Sequence, residues 1–249
     1  AAVVYRRVME VTGAGQFWIP DIGLCDGIAA EYADDCRLFR FSHSFENDIL
    51  AAARNMAKRY KCHAGHNQML EQYALSIFDA ARKFHGMGAR ERLLLQIAVT
   101  LHGCGKFISI RNSNESSYNL IMSTEIIGLS HLEREIIANV VRYNIRDFDY
   151  DTIQLETQIG EDGSGNLNRS SITILIAKLT AILRLANSMD KTHKSKLADC
   201  RMAIREGELV ITTGYTGDLA LERASFEQKA DFFEEIFGIR PVLKQKRRA

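Results

Sequence analysis

Apolar residues recur every three or four positions through most of the stretch from Asp26 to Tyr143, a spacing that predicts one amphipathic helix after another. Helices are expected over Asp26–Leu38 and Phe45–Tyr60, then a long one over His63–Phe84. In that third helix Leu70, Tyr73, Ala74, Ile77, Phe78 and Ala81 share a face, and Gly86 and Gly88 are placed to end it. Ala89–His102 repeats the pattern with Leu94, Ile97, Ala98 and Leu101, closed by Gly103 and Gly105. Ser130 and Glu133 form a capping box that opens a helix over Leu132–Tyr143. Residues 144–170 are polar and rich in Gly, Asn and Asp, which predicts a long exposed loop. The apolar run Ser171–Asp190 then reads as a helix at the centre of a bundle. The first thirty residues, with Gly13, Gly15, Gly23 and Gly27 around Pro20, read as loop-rich.

After residue 198 the period shortens. Arg201–Arg205 and Glu208–Thr213 flank Glu206-Gly207 and predict a hairpin. Asp218–Glu222 suggests a third strand and Ile239–Leu243 a last one. Between them, a capping box at Ser225–Gln228 would start a helix over Phe226–Phe237 that Gly238 stops. The expected fold is mainly α, a helical bundle followed by a small α+β domain. Its divisions fall at 1–30 (the tail of an upstream domain or a linker), 31–197 and 198–249.

Composition narrows the function. Thirty-two Lys and Arg against thirty-one Asp and Glu leave a formal charge of +1, without the basic excess of a general nucleic-acid binder. No specific nucleic acid is expected as a partner. The five cysteines form no C-x-x-C pair and are odd in number, which reads as a reduced, cytoplasmic protein. The longest apolar stretch, Ile172–Ala186, is short for a membrane span and carries Lys178 and Arg184, so no membrane is expected either. Gly13-Ala14-Gly15 has Trp18 where a dinucleotide loop needs a third glycine. Asp162-Gly163-Ser164-Gly165 has neither a preceding strand nor a following Gly-Lys-Ser/Thr. The first reads as a plain turn and the second as part of a solvated loop.

The residues left to carry chemistry are polar groups on inward helix faces. His66 lies four residues before Leu70, and His102 one turn after Ala98. Asn187 and Asp190 follow Leu179 and Leu183. Spacing alone leaves two readings open, satisfied core groups or a site where imidazoles and a carboxylate converge.

Leu101-His102-Gly103-Cys104-Gly105-Lys106 resembles the L-H-D-x-G-K signature of HD-type metal phosphohydrolases, with His66 and the run Leu183–Asp190 where such domains carry their first His and their A-D. Together with Ser116–Ile121, Leu129–Ile137, Val141–Tyr143 and Phe237–Pro241, the segments resemble the C-terminal half of the exopolyphosphatase / guanosine pentaphosphate phosphatase family over roughly residues 26–249. The resemblance implies an HD-like helical domain and an α+β cap. In that family these help to bind polyphosphate and form a homodimer, while upstream domains hold the phosphatase site and its Mg2+.

The chain departs from that pattern where an HD site needs its carboxylates. Gly103 has no side chain, Asn187 is neutral, and Ser116 stands where many relatives have a His. A remnant of His66, His102 and, as a substitute ligand, Asp190 would favour adventitious Zn or Ni over Mg. No catalytic residue and no cofactor are therefore expected here. Cations near helix ends, Lys106, Arg111, Arg184 and Lys191, with Arg142, Lys194 and Lys196, are candidates to hold polyphosphate or guanosine pentaphosphate. The resulting expectation is an accessory region, inactive alone, of an exopolyphosphatase-like hydrolase. The alternative is a self-standing HD-type phosphohydrolase using His66, His102 and Asp190.

Overall fold

A computed structural model describes residues 2–19, 22–36, 38, 44–153, 155–156 and 168–245. They fall into two compact units, Ala1–Ser44 and Phe45–Ala249. The smaller unit holds α1 (Ala2–Thr12) and α2 (Leu24–Asp35). Helix α1 corrects the loop-rich expectation for the first thirty residues. Arg6 and Arg7 both pair with Glu10 at helical spacing, and only at Gly13 (φ 68°) does the chain turn out of the helix. Helix α2 begins two residues earlier than expected because the Asp26 carboxylate accepts the Gly23 N–H.

The larger unit begins with α3 (Phe45–Arg59), α4 (Ala64–Ala80), a single turn α5 (Arg82–His85) and α6 (Ala89–Leu101). A 3-10 turn over Cys104–Phe107 leads to α7 (Ser113–Ser123), α8 (His131–Arg142) and α9 (Arg169–Met189). The expected long helix over His63–Phe84 breaks at Ala81. There the buried His85 ring takes over backbone hydrogen bonds: Nε2–H donates to the Phe78 carbonyl and Nδ1 accepts the Met87 N–H. Gly86 completes the stop at φ 66°. At α8 the expected capping box is present in full, with Ser130 Oγ accepting the Glu133 N–H and the Glu133 carboxylate accepting the Ser130 N–H. The glycine-rich loop expected around Asp162 lies outside the described residues. Its end, Asn168, caps α9 by accepting the Ser171 N–H.

Helix α9 is longer than its apolar stretch suggested, and its length and composition alone would suit a membrane crossing. Instead it is the core helix, with α4, α8 and α10 packed around it and 72% of its most apolar window buried inside the protein. Tyr73, Ile77, Leu95, Leu101 and Ile137, with Ile172 and Leu179 of α9 itself, are all fully enclosed. Each such side chain contributes about 1.5–3 kcal/mol from leaving water.

The C-terminal part carries β1 (Arg201–Arg205), β2 (Glu208–Thr213), α10 (Ala220–Phe237) and β3 (Arg240–Gln245) in a three-stranded sheet of order β1-β2-β3. Strands β1 and β2 form the expected hairpin, with Arg205 opposite Glu208 and both Glu206 and Gly207 at positive φ, the backbone of a tight two-residue turn. Strand β3 runs parallel to β2, with Val242 opposite Val210, and α10 makes the crossover between them. The strand expected over Asp218–Glu222 is helix instead. Leu219, Phe226, Ala230, Phe233 and Phe237 continue one buried helical stripe, and the Asp218 carboxylate accepts the Ala220 N–H at its start. Ser225 accordingly sits inside α10 and caps nothing. Phe226, Phe233, Leu209, Ile211 and Leu243 join the same core cluster as the helical bundle, so the sheet and the bundle are packed as one body.

Candidate functional site

Three chain segments converge on a cavity of about 410 Å³: the start of α4, the end of α6 with its 3-10 turn, and the turn after α9. At the start of α4 the extended backbone of His63 makes it the N-cap, its Nδ1 accepting the His66 N–H at 3.0 Å. One turn in, His66 points inward and is buried. His66 Nδ1–H donates to Asp190 Oδ2 at 2.7 Å, and Asp190 Oδ1 accepts the Ser195 N–H at 2.8 Å. Both carboxylate oxygens are therefore engaged, one orienting an imidazole and the other closing the turn after α9. That turn puts His193 and Ser195 at φ near 50°. It also lays the His193 ring flat on His66, with centroids 3.9 Å apart and planes 9° from parallel.

At the end of α6, His102 Nδ1–H donates to the Val99 carbonyl at 2.7 Å, and its ring meets His66 edge-on at 5.5 Å. Burial pulls the His102 pKa down to about 4, so its imidazole is neutral at pH 7. Burial also lowers His193. In both His66 and His102 the hydrogen bond is made by Nδ1, which leaves Nε2 as the ring nitrogen that could meet a ligand. Cys62 lines the cavity beside them, but burial raises its thiol pKa and pushes that of Cys104 up to about 11. Neither is a thiolate nucleophile at neutral pH.

A larger neighbouring groove of about 830 Å³ shares Cys62 and Asn67 with the cavity. It carries no imidazole, and its Arg54 is paired with Glu71 at 3.3 Å. The imidazoles line the smaller cavity.

His66, His102 and Asp190 do come together as the sequence suggested, but Asp190 stands behind His66 rather than beside it. Gly103 lines the cavity, and a Cβ built there would meet only Cys62 Sγ at 3.9 Å. Asn187 is half-buried on α9 and does not line the cavity. A hard divalent cation wants several oxygen ligands. Among the described residues one carboxylate reaches these imidazoles, and it stands behind His66 rather than beside it, so the residues present do not fit an HD-type Mg2+ or Mn2+ centre.

Among the expected cations, Lys106 lines the cavity. Arg184 does not: its guanidinium is buried and donates to the carbonyls of Tyr143 and Arg146 while lying 4.5 Å over the Phe232 ring. There it caps the end of α8. Arg142 is bound to Glu115, and Lys196 to Glu222. Arg111, Lys191 and Lys194 are exposed and lie outside the cavity lining. Sequence reasoning missed Lys61, His63 and His193, all of which line the cavity. The only signal for the two histidines was their three-residue distance from His66 and Asp190.

The family model of Ppx/GppA phosphatase, domain III, matches residues 50–230. No curated protein matches the chain. The match takes in α4, α6, α9 and the turns that build the cavity, and covers most of the sequence. The chain belongs to the Ppx/GppA phosphatase family and carries its domain III.

Proposed function

We propose that this chain is the accessory C-terminal region of an exopolyphosphatase / guanosine pentaphosphate phosphatase-like hydrolase, with a degenerate HD metal site and no catalytic residue of its own. The observation that carries this reading is the commitment of Asp190 to His66 and Ser195, with Gly103 offering no second carboxylate. Two imidazoles with no carboxylate beside them, Asp190 standing behind His66, do not make a site that holds a water-activating cation. The Mg2+ of the parent reaction then belongs to upstream domains, and the region supports a homodimer.

The cavity's role is to grip a phosphate chain. Lys61 and Lys106 line it. His63, whose Nδ1 accepts the His66 N–H, turns its Nε2–H into a further donor beside them. Polyphosphate is a dense linear anion, so such contacts hold it without reading a sequence, and salt weakens them. Lys61→Ala and Lys106→Ala are each expected to weaken polyphosphate retention about tenfold at low salt, equivalent to about 1.4 kcal/mol, with a shallower salt dependence. Retention measured by electrophoretic mobility shift decides it. Unchanged binding in both variants, or phosphate release by the wild-type chain alone, would refute the assignment.

The vacant space at Gly103 gives a second test. Gly103→Asp puts a carboxylate next to His102, and its Cβ would meet Cys62 Sγ at an ordinary 3.9 Å. Its Mn2+ affinity should rise at least about tenfold over wild type, given that even an outer partner of a metal ligand is worth about 10–100-fold. Mn2+ titration followed by electron paramagnetic resonance reads this directly. An unchanged isotherm would mean that the imidazoles do not face the position as described.

A further inference from the structure

Away from the cavity, α8 carries His131 and Glu135 one helical turn apart, the spacing that puts two side chains on one face. Glu156 comes to the same place from the chain beyond α8. His131 Nε2 lies 3.7 Å from Glu135 Oε1 and 4.0 Å from Glu156 Oε2. All three ligand atoms fall within 4.8 Å of one another. The approach is fixed by the backbone, because the Glu156 N–H donates to Glu135 Oε1. Glu135 is fully buried, whereas His131 and Glu156 are exposed.

We propose that His131, Glu135 and Glu156 form a binding site for a divalent first-row transition ion, Zn2+ in the first instance, that staples the segment carrying Glu156 to α8. The ligand chemistry suits it: an imidazole nitrogen and carboxylate oxygens are the nitrogen and oxygen ligands that Zn2+ takes in proteins. Zn–N and Zn–O bonds of about 2.0–2.2 Å place tetrahedral ligand atoms roughly 3.4 Å apart. The two separations from His131 Nε2, 3.7 Å and 4.0 Å, need to contract by well under 1 Å. Three protein ligands leave a position for water.

The contact of Arg134 with His131 must give way. Arg134 Nη2–H donates to His131 Nδ1 at 3.2 Å, so without metal the imidazole proton sits on Nε2. Metal ligation takes the Nε2 lone pair, the proton moves to Nδ1, and the Arg134 contact is lost to water. The site stands apart from the cavity and does not depend on the function proposed for it.

The experiment is Zn2+ titration of the full 249-residue chain against a chromophoric chelator, wild type beside His131→Gln, Glu156→Gln and His193→Gln. The two ligand positions changed are exposed, so folding is not at stake, and His193→Gln reports Zn2+ held by the cavity imidazoles. One equivalent weakened at least about tenfold in His131→Gln and Glu156→Gln, but unchanged in His193→Gln, supports the site. Indistinguishable isotherms in all four proteins, loss confined to His193→Gln, or no Zn2+ uptake by the wild type would overturn it.

Discussion

Gly105→Ala is expected to destabilise the protein by about 3–5 kcal/mol, a large share of the 5–15 kcal/mol that holds a typical domain together. A Cβ at Gly105 would lie 2.0 Å from the Ser113 carbonyl oxygen, 2.4 Å from the Ser117 nitrogen and 2.6 Å from Ser117 Oγ. Two of these atoms are backbone, so no rotamer change relieves the collision. The 3-10 turn or the start of α7 has to move. The glycine also donates its N–H to Ser117 Oγ at 2.8 Å, and that bond is lost when the two segments part. Gly103→Ala is the matched control: two residues away, its Cβ meets one sulfur at ordinary contact distance, and the expected change is within about 1 kcal/mol. Urea unfolding of both variants checks the pair. Equal midpoints would show that α7 does not press on the turn. The clamp matters for function because the same turn carries Gly103 and Lys106 into the cavity.

What could be read from the sequence follows the range over which each interaction acts. Helices α3, α6 and α8 and the β1–β2 hairpin were legible because a continuous apolar period and an adjacent cap or turn agree. The Ser130–Glu133 box and the Glu206-Gly207 turn act over four residues or fewer. Helix α1 was hidden by the glycines beside it. The N-terminus of α10 was misplaced because Ser225–Gln228 imitates a cap whose role Asp218 already fills. The break at Ala81 depends on which way the His85 ring turns, which no period reveals.

The inward placement of His66, His102 and Asp190 was legible from helical spacing, which by itself left core groups and a site equally open. Lys61 and His193 were not, because both reach the cavity through left-handed backbone, at φ 52° and 53°, that non-glycine residues seldom adopt. Arg184 shows the limit of reading by adjacency. It lies six residues before Asp190, which at about 100° per residue turns it roughly 120° around α9, away from the cavity. Motif position suggested an anion contact, and helix geometry made it a cap for α8.

Acidification should remove about 3 kcal/mol of stability through His102 alone. Its folded pKa is depressed to about 4 from an ordinary 6.5, and each unit is worth about 1.36 kcal/mol. The sign follows from which state binds the proton. Between pH 6.5 and 4 the unfolded chain takes up a proton at His102 that the folded chain refuses. The stabilising contribution is therefore complete above pH 6.5 and is lost as the pH falls toward 4. His85, lowered in the same direction by burial, adds to the slope. Desolvation is the largest cause in both, and at His102 the Val99 carbonyl keeps the ring in place, so the site cannot escape by turning the ring to water. Urea midpoints at pH 7 and near pH 4.5 measure the loss, and His102→Gln isolates the residue. The variant should start less stable at pH 7, because its amide lacks the imidazole's fit, yet lose distinctly less on acidification. A wild type and variant with parallel pH profiles would mean that His102 titrates normally in the folded protein. The cavity would then be wet enough to hydrate an imidazolium, and the neutral imidazole assigned to it would have to be given up.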